Sequence, residues 1–109
     1  MATAYKVLGQ VKPTVSTETT LYTVPSATST VVSTITVLNI GTQPCTFNIA
    51  VRPAGAALED KHYVLYGAGI SSYQSQSYTI GITLAATDVI SINTTGSSLV
   101  ASLFGSEIS

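Results

Sequence analysis

The chain has 109 residues, of which four are Lys or Arg and five are Asp or Glu, giving a net charge of −1 at pH 7. Charged residues make up 8% of it, against about 25% in ordinary soluble domains, so hydroxyls must cover much of the surface and no basic patch exists to attract nucleic acid. One cysteine excludes an internal disulfide and a thiolate metal cluster, and no apolar run approaches the roughly 20 residues of a membrane-spanning helix.

The length is that of one domain. The 17 Thr, 11 Val and 9 Ile are stiff at the β-carbon and favour strands over helices. In chain order, the first strand is expected in YKVLGQV (5–11). Residues 1–20 as a whole read as a polar arm that holds this strand and reaches a neighbouring subunit, with Lys12-Pro13 fitting a chain laid over a partner. The body, 21–109, begins with a strand in TTLYTV (19–24), which Pro25-Ser26 ends.

TVVSTITVLNI (30–40) follows, with Val31, Ile35 and Val37 on one face and Val32, Leu38 and Ile40 on the other, the pattern of a strand covered on both faces. After the Gly41 to Pro44 turn, CTFNIAV (45–51) alternates cleanly. Cys45, Phe47, Ile49 and Val51 form its apolar face, so Cys45 reads as a small buried hydrophobe.

Pro53-Ala54-Gly55 ends that strand, and GAALEDKH (55–62) can hold one helical turn. KHYVLYG (61–67) is the next strand. SYTIGITL (77–84) alternates again, with Tyr78, Ile80, Ile82 and Leu84 on one face. DVISINT (88–94) and SLVASLFG (98–105) complete eight strands, joined at Thr95-Gly96-Ser97. Short strands at this spacing predict an all-β, antiparallel sandwich of immunoglobulin-like or jelly-roll type, with a small β-barrel as the alternative.

Chemistry concentrates in one place. RPAGAALEDKHYVLY (52–66) holds Arg52, Glu59, Asp60 and Lys61, together with His62, the one histidine. If residues 61–66 are strand, His62 shares a face with Val64 and Tyr66. A histidine beside one carboxylate has no identifiable nucleophile here, since no serine lies in a Gly-x-Ser-x-Gly elbow. No set of His, Cys and carboxylates has metal-ligand spacing. The expectation is therefore no catalytic residue, no metal and no cofactor. Arg52 is expected to pair with Glu59 or Asp60, or to meet a neighbouring subunit. Tyr73, in the polar SSYQSQS, is expected to be exposed. Arg52, Glu59, Asp60, Lys61, His62 and Tyr73 are the candidate interface residues.

Three stretches, LYTVPSATSTVVSTITVLNIG, FNIAVRPAGAALEDKHYVLYG and the close TLAATDVISI with LFGSEIS, resemble small virion structural proteins of tailed bacteriophages, notably those of cyanobacterial hosts. The matching positions are Tyr22 to Pro25, Asn39, Ala50 to Tyr66 and Phe104 to Glu107. The resemblance runs from about residue 5 to residue 108. It implies a β-rich, non-enzymatic subunit of a head, neck or tail.

Low charge and abundant hydroxyls suit such an assembly subunit. The opening MATAYKVLGQ has no apolar centre of an export signal, so synthesis in the host cytoplasm and residence in the virion are expected. The leading expectation is a capsid decoration (cement) protein that bridges major capsid subunits. The alternatives are a neck, tail or baseplate accessory for fibre attachment, and a receptor- or carbohydrate-binding module using Tyr73 with neighbouring Ser and Gln. Expected partners are the major capsid protein, or else neck and tail proteins, and further copies of the chain, a trimer being one candidate state. Nucleic acid and membrane are not expected partners.

Overall fold

The computed structural model describes residues 3–79 and 81–109. Among the described residues nine strands form: β1 (Thr3–Val11), β2 (Thr19–Thr23), β3 (Ser29–Asn39), β4 (Cys45–Arg52), β5 (Tyr63–Ile70), β6 (Ser75–Tyr78), β7 (Ile82–Leu84), β8 (Val89–Thr94) and β9 (Leu99–Ile108). Every pairing is antiparallel. The first sheet has the order β1-β9-β3-β6, with β7 also on β3, and the second is β2-β8-β4-β5.

The expected strand at 77–84 is divided. β6 pairs with Ile35 to Leu38 and β7 with Thr30 to Val32, so both run along the same side of β3. Gly81, between them, adopts φ +60°, a left-handed conformation that glycine enters at little cost. The expectation for Ile80 lies outside the described residues.

Counted as one broken strand, β6 and β7 make an eight-strand path. The first strand then pairs with the last, the second with the second-last, the third with the third-last, and the middle two with each other. This is one deep antiparallel hairpin rolled up so that its strands are shared between two facing sheets, which is a jelly roll. The sheets keep open edges at β1, β2, β5 and β6/β7, so the β-barrel alternative is wrong. The stretch expected as a neighbour-contacting arm is, over Thr3–Val11, paired along β9 of the same chain.

The core lies between the sheets. Val32, Ile35, Val37, Leu99 and Leu103 of the first sheet face Phe47, Ile49, Ile90 and Ile92 of the second, all of them at most 1% exposed. Each such side chain contributes about 1.5–3 kcal/mol on burial. Cys45 is buried beside them, as expected. The Phe47 and Tyr78 rings meet edge to face at 6.3 Å.

The facing expected for β3 is corrected. Thr30 and Val32 are buried, and so are Ile35, Val37 and Asn39. Parity changes between them because the β3–β9 register shifts between Val32 and Thr34, and a bulge swaps the faces beyond it. Val31 and Ile40 are consequently exposed. The strand is central in its sheet, but only one of its faces is covered by the other sheet.

Candidate functional site

The charged stretch forms the β4–β5 connection. Two short 3-10 turns shape it, Pro53–Gly55 and Asp60–His62. The helical turn expected in 55–62 forms at Asp60–His62, a second one precedes it at Pro53–Gly55, and Lys61 and His62 precede β5 instead of starting it. His62 is buried, whereas Val64 and Tyr66 are 43% and 74% exposed, so the shared face expected for these three is not formed. The His62 Nδ1 accepts the Glu59 N–H at 3.0 Å. That bond requires an unprotonated Nδ1, which places the proton of the neutral ring on Nε2. Glu59, Asp60 and Lys61 are exposed around it.

Arg52 does not form the expected ion pair with Glu59 or Asp60. Its Nη1 reaches the Ala56 carbonyl at 3.4 Å, and its buried Nε has no partner among the described residues. The ion pair found among the described residues is Lys6–Glu107, at 2.7 Å.

Asp88 holds the connection instead. Its Oδ1 accepts the Ala54 N–H at 2.9 Å and its Oδ2 the Ala85 N–H at 2.9 Å. One carboxylate therefore fastens the β4–β5 connection to the β7–β8 turn. The clamp fixes an unfavourable backbone at Ala54, a non-glycine residue with φ 54°, whereas the φ of 72° at Gly55 is one that glycine enters at little cost. Asp88→Ala is expected to cost about 1–2 kcal/mol in urea unfolding, with Asp88→Asn, which keeps one acceptor, losing about half of that. Equal stability of all three proteins would dismiss the clamp.

The outer face of the second sheet beside this connection is polar and partly covered. Glu18, from the β1–β2 connection, accepts the Ser91 hydroxyl through Oε2 at 2.5 Å, and Ser91 is fully buried. The other Glu18 oxygen is buried and unpartnered among the described residues. Tyr63 and Tyr66 pack edge to face at 4.8 Å and line a depression with Asp60. Partial burial, then the charges of Glu18, Tyr66 and Asp60, push the Tyr63 phenol up, so the phenol keeps its proton and remains a donor.

Tyr73 does not join this cluster. It is 66% exposed, as expected, and has φ 57°. It lies in the β5–β6 turn, whose Gln74 carbonyl accepts the Asn39 N–H at 2.9 Å. β4 and β5 each span eight residues, about 26 Å, and this turn lies at the end of them opposite Arg52. That end also holds a shallow cleft lined by Asn39, Gly41 to Pro44 and Thr95 to Ser98. Asn39 shapes it by donating to the Gln43 carbonyl and accepting the Gly41 N–H. Gln76, near Tyr73 in sequence, is committed to the Gly69 carbonyl and the Tyr78 hydroxyl. The six candidate interface residues therefore occupy two opposite ends of the sandwich.

The face that sequence reasoning missed is the outer face of the first sheet. Alternation along the register puts Tyr5 and Val7 of β1, Val31 of β3, and Phe104 and Ile108 of β9 on it. Ser102, Ser106, Thr34, Thr36, Ser77 and Thr83 fill the rows between. No strand residue on this face is charged among the described residues, although exposed Lys12 follows directly at the end of β1. Lys6 and Glu107, the charged residues of its strands, turn inward. The missed signal was the parity change in β3, which puts Val31 on the outside.

The architecture is a charge-poor jelly roll with one uncharged sheet face. A chain in the structure of infectious bursal disease virus Gt strain has a similar fold, with a TM-score of 0.50 at 10% sequence identity. The match takes in 96% of this chain and 31% of that one, so this domain spans about a third of its length. At that identity the likeness concerns the fold. No protein-family model and no curated protein matches the sequence.

Proposed function

We propose that this chain is a non-enzymatic structural protein of a tailed-phage virion, and specifically a decoration protein that bridges neighbouring subunits of the major capsid protein. The observation that carries the reading is the uncharged, hydroxyl-covered outer face of the first sheet, which suits life against other protein and provides little repulsion to keep copies apart. The likeness of Tyr22 to Pro25, Ala50 to Tyr66 and Phe104 to Glu107 to phage virion proteins supports it, as does a fold similar to a chain of a virus structure. A protein that binds only the assembled shell stabilises that shell by mass action. The largely exposed Pro53 to Lys61 part of the β4–β5 connection is the surface offered to the shell.

Copy number tests this. The chain should be present in purified particles at hundreds of copies, measured by quantitative mass spectrometry against the major capsid protein. A count of roughly 3 to 24, as small cyclic symmetries produce, would replace the decoration role with a neck, tail or baseplate one. Absence from the particle would end the proposal.

A further inference from the structure

We infer that the outer face of the first sheet is a self-association surface, on which a second copy of this chain docks face to face about a twofold axis. Tyr5 is 86% exposed, Val7 49% and Val31 36%. These side chains lie in adjacent rows of one sheet, together with half-buried Phe104 and Ile108. Tyr5 and Val7 adjoin Phe104, and Val31 lies one strand further, beyond Ser106; exposed apolar side chains clustered on one face in this way mark a contact surface.

The open edges of this sheet are poorly suited to strand addition, whereas its face is free. At one edge, β1 carries the inward-turned Lys6, and its register with β9 shifts between Val7 and Gly9. Inward charges and bulges both oppose strand addition. The other edge is broken into β6 and β7, of four and three residues. Contact is therefore through the face.

Charge selects the occupant. A charged partner would be stripped of water against this face without finding a counter-charge, which is costly. A second copy presents an equally uncharged surface with the same hydroxyls. The outer face of the second sheet is a poor match, because Glu18, Arg52 and Asp60 lie on or beside it. The same face meeting itself gives an isologous contact, which closes as a dimer, in place of the trimer that the sequence suggested.

Area allows it as well. Four strand positions about 4.8 Å apart and about 30 Å long present about 600 Å² per copy, or about 1,200 Å² in all, the lower bound for a specific interface. Two such sheets would pack about 10 Å apart with strands near 30°.

Sedimentation equilibrium on the full chain tests the inference. At about 100 µM the species should have the mass of two 11.3 kDa chains. Tyr5→Lys and Val31→Lys should each weaken association about tenfold or more, because twofold symmetry buries two new unpaired charges in one interface. Val64→Lys, on the other sheet, should leave it unchanged. Circular dichroism checks that each variant is folded, and Tyr5 is exposed enough for its variant to fold normally. A monomer at every concentration, a threefold species, or a dimer that survives Tyr5→Lys would overturn the inference. None of these results depends on copy number in a particle, so the two proposals fail separately.

Discussion

Gly105→Ala is expected to lower stability by about 3 kcal/mol, the upper end of overpacking costs, and to drop the melting temperature by about 10 °C or more. Gly105 lies in β9 opposite Val32 of β3 and Lys6 of β1. A Cβ there would lie 2.1 Å from the Val31 carbonyl oxygen and 3.0 Å from the Val32 Cα, both backbone atoms. Backbone cannot rotate out of the way as a side-chain tip can. The crowding occurs beside the β3 bulge, where β3 leans into the space that glycine leaves open. That bulge in turn sets the parity that buries Ile35 and Val37. One missing methyl group therefore supports the register of the central strand pair. Gly69→Ala is the control: nothing lies within 4 Å of its added Cβ, and the change should stay within about 1 kcal/mol of wild type. If thermal unfolding gives the same midpoint for both variants, the bulge does not depend on Gly105.

The strands of this fold were legible because their chemistry is local. Alternation in CTFNIAV identified Cys45, Phe47 and Ile49 as core, and all three are buried. The bulge in β3 was not legible. TVVSTITV contains no glycine or proline to mark it, and the residue that permits it, Gly105, lies more than 70 positions away. The division of 77–84 had a local marker in Gly81, but alternation on either side of it masked the break.

The candidate site failed for a related reason. Arg52, Glu59 and Asp60 are neighbours in sequence, and proximity suggested a pair. Their connection is fixed by Asp88, which comes from the turn before β8 and meets Ala54 only because β8 pairs with β4. Such a contact depends on sheet order, which periodicity does not encode. The uncharged sheet face was hidden in the same way, since it exists only once β1, β9 and β3 lie side by side.

Closing the rolled hairpin brings together the first and last strands, and with them one polar chain that runs from exposed Lys6 to buried Tyr22 and Thr30, whose titration should be visible in stability. Lys6 meets the Glu107 Oε1 at 2.7 Å, the Tyr22 hydroxyl donates to the Glu107 Oε2 at 2.5 Å, and Tyr22 and Thr30 share a hydrogen bond of 2.8 Å. Tyr22 belongs to the second sheet and the other three residues to the first, so the chain ties the two layers together. Burial, then the Glu107 carboxylate that it donates to, push the Tyr22 phenol up to about 12 from an ordinary 10.

A raised phenol means that the protonated form is favoured by folding. Its contribution is complete below about pH 10 and is lost as pH rises through about 12, a difference of roughly 2–3 kcal/mol. Glu107 behaves in the opposite sense. The Lys6 hydrogen bond, then that of Tyr22, hold its carboxyl below the ordinary carboxylate value. That stabilisation is present above the ordinary value and is lost as pH falls through the lowered one.

Tyr22→Phe should therefore do two things. Near neutral pH it should cost about 1–3 kcal/mol, because Glu107 and Thr30 each lose a hydrogen-bond partner. Between pH 10 and 12 its stability should fall less than that of wild type, so the two curves converge as the wild-type phenol ionises. Urea unfolding across that range measures both effects. Parallel curves would show that Tyr22 ionises as freely in the folded chain as in the unfolded one, and that the link between the sheets does not rest on its proton.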